Sequence, residues 1–280
     1  MELTEGRFNS TAVGREVEYR VLHPADLEAG EDVPLVLHLH GAMSSSASLD
    51  LARPLYEELA RRDRFPRAVI ACPSTPTAGG FYLNWPGGES WETLISKEFP
   101  EHLAASHHGP FTANALIGVS MGGYGALLAA FAEPERFAAV AAISPAIFPG
   151  ETPQTVAEVN TPSVLGDLHR SMSYGTGDAG TYAENSVYAR ARRNAARIRG
   201  AALPVLVDCG AEDEFRLHEG AGYLGEVLTE LRIGHELRLV QGAGHIGPEA
   251  EVRTRNAIEF VGDALTPRGA ESAANRRSCP

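Results

Sequence analysis

Cysteine and positive charge are both scarce in this sequence of 280 residues, which has 3 Cys and 24 Lys+Arg against 36 Asp+Glu, for a formal net charge of −12. Cys72, Cys209 and Cys279 stand far apart with no CxxC pair. That spacing excludes both a disulfide framework and a structural zinc site, and it points to a reducing compartment, so the cytoplasm is the expected location. The acidic balance excludes a nucleic-acid binder, because affinity for phosphate comes from clustered Lys and Arg and a net negative field repels polyanions. The first twenty residues carry acidic side chains early and lack an apolar core, so no signal or transit peptide is read there. Residues 113–132 form a charge-free run long enough for a bilayer on length alone. Gly118, Gly122, Gly123 and Gly125 interrupt it, and a buried strand followed by a buried helix accounts for it without a membrane.

Glycine and proline, in contrast, are plentiful at 29 and 18, many of them at junctions between apolar runs, so the chain is built from short elements and tight turns. Short apolar or alternating runs predict strands over 16–22, 34–39, 67–71, 115–119, 138–143, 204–208 and 236–240. Helical patterns predict helices over 49–64, 92–106, 122–131, 182–199, 218–231 and 249–264. This alternation predicts an α/β fold with a mostly parallel sheet and helices on both faces. Residues 1–266 read as one domain, with 148–200 as a cap-like insertion. Within the insertion, 148–180 has no clear periodicity and reads as a long loop over one end of the sheet. The polar tail 267–280 is expected to be disordered. Arg190, Arg192, Arg193, Arg197 and Arg199 fall on one helix and read as a solvated face.

The sharpest signal is Gly118-Val119-Ser120-Met121-Gly122, set between an apolar strand and a helix of small residues. This G-x-S-x-G pattern in a strand–turn–helix context is a nucleophile elbow, in which glycines admit neighbouring backbone and the serine hydroxyl stands above the sheet. A serine attacks only when a base takes its proton, and the base needs an acid to hold its tautomer. The expected chain order is Ser, acid, His. Of ten histidines, His245 follows the last predicted strand in the glycine-rich segment Gly242-Ala243-Gly244, where its ring can be aimed at Ser120. Three carboxylates, Glu212, Asp213 and Glu214, follow the preceding strand, and spacing does not choose among them. Asp208 is a rival placed inside that strand.

Two backbone N–H groups should face the developing oxyanion. Met121 follows the nucleophile and supplies one, while the loop Gly41-Ala42-Met43 supplies the other, with Ala42 preferred to Met43. His38 and His40 share a strand face, but Gly41 and Ala42 follow where a metallohydrolase would place further ligands, so no metal is expected and no cofactor either. His218 is placed near the pocket rim, and Trp85 and Tyr82 are candidates to line the pocket.

These residues resemble the esterase D-type branch of the α/β hydrolases, the group that includes S-formylglutathione hydrolases and, more distantly, the mycolyltransferases. The resemblance rests on His40-Gly41, Asn84-Trp85-Pro86, Trp91-Glu92-Thr93, Glu98-Phe99-Pro100, the elbow through Ala126, Cys209 through Phe215, and Gly244-His245. It implies an α/β-hydrolase fold, a Ser120–Asp213–His245 triad and oxyanion donors at Ala42 and Met121. Ala42 and Ile246-Gly247-Pro248 depart from the pattern of relatives, so substrate specificity does not carry over. The expected reaction is hydrolysis of a small ester or thioester through an acyl-enzyme. Transfer to an alcohol and a non-catalytic binding role on the same fold are the alternatives.

Overall fold

The computed structural model describes residues 1–152 and 154–266, so the tail predicted to be disordered lies outside the described residues. The strands are β1 (Glu2–Ser10), β2 (Arg15–His23), β3 (Val33–Leu39), β4 (Val69–Pro73), β5 (Phe111–Val119), β6 (Ala139–Ile143), β7 (Val205–Gly210) and β8 (Glu236–Val240). They form one sheet in the order β1-β2-β4-β3-β5-β6-β7-β8. The neighbours from β4 to β8 run parallel, whereas β2 is antiparallel to β4 and pairs with β1 as an edge hairpin. This is the α/β-hydrolase architecture that the sequence predicts.

The helices are α1 (Ser48–Arg61), α2 (Trp91–Thr93), α3 (Phe99–Leu103), α4 (Met121–Ala132), α5 (Val164–Ser171), α6 (Ala179–Glu184), α7 (Val187–Gly200), α8 (Leu217–Glu230) and α9 (Ala250–Leu265). α2 and α3 belong to one helical run over 91–108 whose other turns widen to π geometry. Alternation along β3 sends Leu35, Leu37 and Leu39 into a core shared with α3, α4, α7 and α8, while Val36 faces a second core with α1 and α9. Strands covered on both faces read as continuous apolar runs, which is why β3, β5 and β6 are plain in the sequence. The charge-free run 113–132 resolves into most of β5 and all of α4, whose residues Met121 to Phe131 are buried. Among the described residues no helix is long and apolar enough to cross a membrane.

Several expectations need correction. The hydropathy pattern misses β1, a largely exposed edge strand whose polar alternation carries little apolar signal. Its turn is held by Glu98, whose carboxylate accepts from the Thr11 N–H at 2.6 Å and the Thr11 hydroxyl at 2.7 Å. β4 begins two residues later than predicted. The helix predicted over 182–199 is two, because Ser186 accepts from the Ala189 N–H and restarts the chain as α7. The stretch read as a loop over 148–180 holds α5, capped by Ser163 through the Leu165 N–H. The arginines of α7 are not simply solvated: Arg190 pairs with Glu92 in a mostly buried contact, Arg192 with Glu151 and Glu230, and Arg197 with Glu135.

Candidate active site

Ser120 sits at the junction of β5 and α4 with φ 55° and ψ −114°, a backbone conformation that side chains rarely adopt. Its backbone is tied on three sides: its N–H donates to Ile143 O at 2.9 Å, and its carbonyl accepts from Tyr124 and Ala146 N–H at 3.0 Å each. A Cβ on Gly118 would stand 2.1 Å from Gly122 O, and one on Gly122 would stand 2.1 Å from Leu39 O. Both elbow glycines are therefore steric necessities.

The parallel sheet brings the ends of β5, β7 and β8 together. His245 Nε2 lies 3.1 Å from Ser120 Oγ, and His245 Nδ1 lies 2.8 Å from Asp213 Oδ2. Asp213 Oδ1 accepts from the Phe215 N–H at 2.9 Å. Burial works against the Asp213 charge, but the bond and charge of His245 and the N–H groups of Phe215 and Leu217 outweigh it and hold the carboxyl below its ordinary value. Of its rivals, Glu212 is exposed. Glu214 Oε2 accepts the His245 backbone N–H at 2.9 Å, so it positions the loop and not the ring. Asp208 faces away, into a buried pair with Arg253. The Phe215 ring meets the His245 ring edge-on at 5.0 Å and limits its swing.

Arg253, which carries no motif in the sequence, supports the histidine loop from below. It is 2% exposed, and its guanidinium donates to Asp208 Oδ1 at 2.5 Å, Ser144 Oγ at 2.7 Å and Gly244 O at 3.1 Å. It also reaches His245 O at 3.4 Å, the carbonyl that accepts from Ser144 Oγ at 3.3 Å. Cys209 lies 3.7 Å from Asp213 Oδ2, and burial pushes its thiol up to about 12, so it stays protonated. Cys72 is likewise buried and free.

Met121 opens α4, where an N–H has no carbonyl one turn back to bond. In the loop after β3, the Met43 N–H is taken by Thr77 Oγ1 at 2.8 Å, whereas the Ala42 N–H has no partner among the described residues. Ser120 and His245 open onto a cavity of about 600 Å³ whose walls include Ala42, Leu51, Leu55, Val164 and Phe215. Trp85 does not line this cavity. It borders an adjacent cleft beside Tyr174, the two rings 5.4 Å apart. Tyr82 is fully buried, its hydroxyl bonded to His40 O, and His218 is not among the cavity's lining residues. His38 and His40 do line it, but each has another partner. His40 uses both ring nitrogens, toward Gly41 O and the Thr75 N–H, and His38 pairs with the Tyr56 hydroxyl at 3.2 Å.

Residues 10–245 match the model of the family described as "Putative esterase". The chain belongs to that esterase family. The chain is 29% identical over 163 residues to the S-formylglutathione hydrolase of Paracoccus denitrificans, covering 52% of this chain and 58% of the relative. It is 35% identical over 81 residues to the MPT51/MPB51 antigen of Mycobacterium tuberculosis, covering 28% of this chain and 27% of the relative. The matches thus span less than two thirds of the curated relatives' own length. In fold, the chain superposes on the S-formylglutathione hydrolase of Agrobacterium tumefaciens with a TM-score of 0.74 at 20% identity, over 94% of this chain and 95% of the other.

Proposed function

We propose that this esterase-family chain is a serine hydrolase of carboxylic esters or thioesters. The observation that carries the reading is the unbroken relay from Ser120 through His245 to Asp213, at 3.1 and 2.8 Å, opening onto an apolar cavity. Ser120 Oγ attacks the carbonyl carbon while His245 Nε2 takes its proton, and Asp213 keeps the ring's Nδ1–H directed inward and stabilises the imidazolium. The N–H groups of Ala42 and Met121 receive the oxyanion. His245 returns the proton to the leaving group, then deprotonates a water that releases the acid from Ser120.

Ser120→Ala should end both hydrolysis of p-nitrophenyl acetate and labelling by a fluorophosphonate. Full turnover in that variant would overturn the assignment. Adding alcohols to the wild-type assay separates hydrolysis from transfer: free acid as the main product supports hydrolysis, and a new ester formed at the acid's expense would replace it with an acyltransferase.

A further inference from the structure

The cavity beside Ser120 is not a simple opening above the sheet. It runs between α1 and α9, on the sheet face opposite α4, and the α1 wall is one helical stripe of Ser48, Leu51, Ala52 and Leu55. Ala250 and Thr254 of α9 line it too. Met43, Leu51 and Ile246 border it while being 85%, 84% and 70% exposed. Single exposed apolar side chains are ordinary, but three around the mouth of one catalytic cavity mark a surface that an apolar ligand covers.

Ser44, Ser48, Glu251 and Thr254 also line the cavity but are exposed or half-buried, whereas one polar side chain lies deep in it. His38 is 4% exposed in the central strand β3, on the face whose other members are apolar, and it borders the cavity. A leucine there would fill the space with no polar group to desolvate. Its neighbour His40 has both ring nitrogens engaged, whereas His38 has only Nδ1 engaged, by Tyr56, and among the described residues Nε2 has no partner. Burial, with a smaller effect from His40, pushes His38 down to about 4, so the ring is neutral at pH 7. A neutral imidazole held at one nitrogen offers a donor or an acceptor at the other, depending on which partner Tyr56 plays. A hydroxyl satisfies either case.

We propose that the cavity between α1 and α9 binds an apolar arm of the substrate that carries a hydroxyl toward its far end, recognised by His38 Nε2. The proposal rests on the hydrolase reading of Ser120. The apolar part of the walls supplies affinity, and the contact with the buried His38 supplies selectivity, because an arm that reaches Nε2 without a hydroxyl leaves that nitrogen dry and unpaired. The contact also sets a length, since the distance from Ser120 to His38 is fixed by the strands that carry them.

The arm can belong to the acyl or the alcohol half of the ester, and paired substrate series distinguish the two. One series is p-nitrophenyl esters of straight-chain acids from four to ten carbons, each beside its ω-hydroxy counterpart. The other is acetates of alkanols and of the matching diols, followed by acid release. In one of the series, wild type should favour the hydroxylated member by about tenfold in kcat/KM, with a maximum at one chain length. His38→Leu should erase that ratio. Ala52→Phe, which fills the cavity from α1, should lower kcat/KM for long chains relative to the shortest, and keeps the test open if His38→Leu does not fold. Cleavage of p-nitrophenyl acetate with no hydroxyl preference at any length overturns this inference and leaves the hydrolase reading standing. A wild type inert toward every ester overturns both.

Discussion

Replacing Arg253 by methionine tests whether His245, the proposed base, depends on a buried charge it never touches through its ring. Arg253 and Asp208 are 2% and 1% exposed. Methionine keeps most of the apolar bulk but leaves Asp208 to hold a charge, or take up a proton, in a dry site. Asp208 Oδ2 already lacks a hydrogen-bond partner, so no second donor stands ready. Removing one member of a buried pair typically costs about 3–5 kcal/mol, a large part of the roughly 5–15 kcal/mol that holds a domain folded. The same change strips donors from the carbonyls of Gly244 and His245. His245 keeps its bond to Asp213, so kcat should fall by about ten- to a hundredfold through misplacement while KM changes little. Urea unfolding at pH 7 measures the stability loss, and removing Asp208 as well, as Arg253→Met with Asp208→Leu, should restore a good part of it. A single variant that loses less than about 1 kcal/mol, or a double variant no more stable than the single, would refute the reasoning.

Asp213→Asn should lower kcat by about ten-thousandfold, because an amide no longer enforces the working tautomer of His245; a loss under tenfold would remove Asp213 from the relay. The same variant carries a pH signature. An acid held below its ordinary value contributes stability that is present above the unfolded pKa of about 4 and is lost as pH falls through the lower folded value. Wild-type unfolding free energy should therefore drop more steeply below about pH 4 than that of Asp213→Asn, and equal slopes would count against the depressed carboxyl. The glycines divide by space: Gly122→Ala puts a Cβ 2.1 Å from Leu39 O, whereas at Gly41 the nearest atom would be 3.4 Å away. Thermal unfolding should show Gly122→Ala weakened by at least about 1–3 kcal/mol and Gly41→Ala near wild type. The reverse order would show that the elbow can move aside.

Much of the site was legible because its signals are local. The elbow is announced by consecutive residues, since the crowding that demands glycine at 118 and 122 comes from the turn itself and the strand beside it. His245 was legible from its place after the last strand. The choice among Glu212, Asp213 and Glu214 was open on spacing and closed only by family resemblance, because three adjacent carboxylates have the same local pattern. In the structure the loop's path turns Asp213 inward to the His245 ring, while Glu214 meets the backbone of His245. Edge strand β1 escaped the hydropathy reading because it is largely exposed and its alternation is polar, and the Glu98 clasp on its turn comes from far along the chain.

Taken alone, the sequence determined most of the succession of strands and helices and singled out Ser120 and His245 as candidates for nucleophile and base, since periodicity and steric crowding are properties of neighbouring residues. The tertiary structure alone decided that Asp208 serves Arg253 across 45 residues, that Trp85 stands outside the cavity beside Ser120, and that His38 borders that cavity with one nitrogen to spare. Those outcomes depend on how helices α1 and α9 pack on one face of the sheet, and no local pattern encodes which side chains that packing brings together or leaves unpaired.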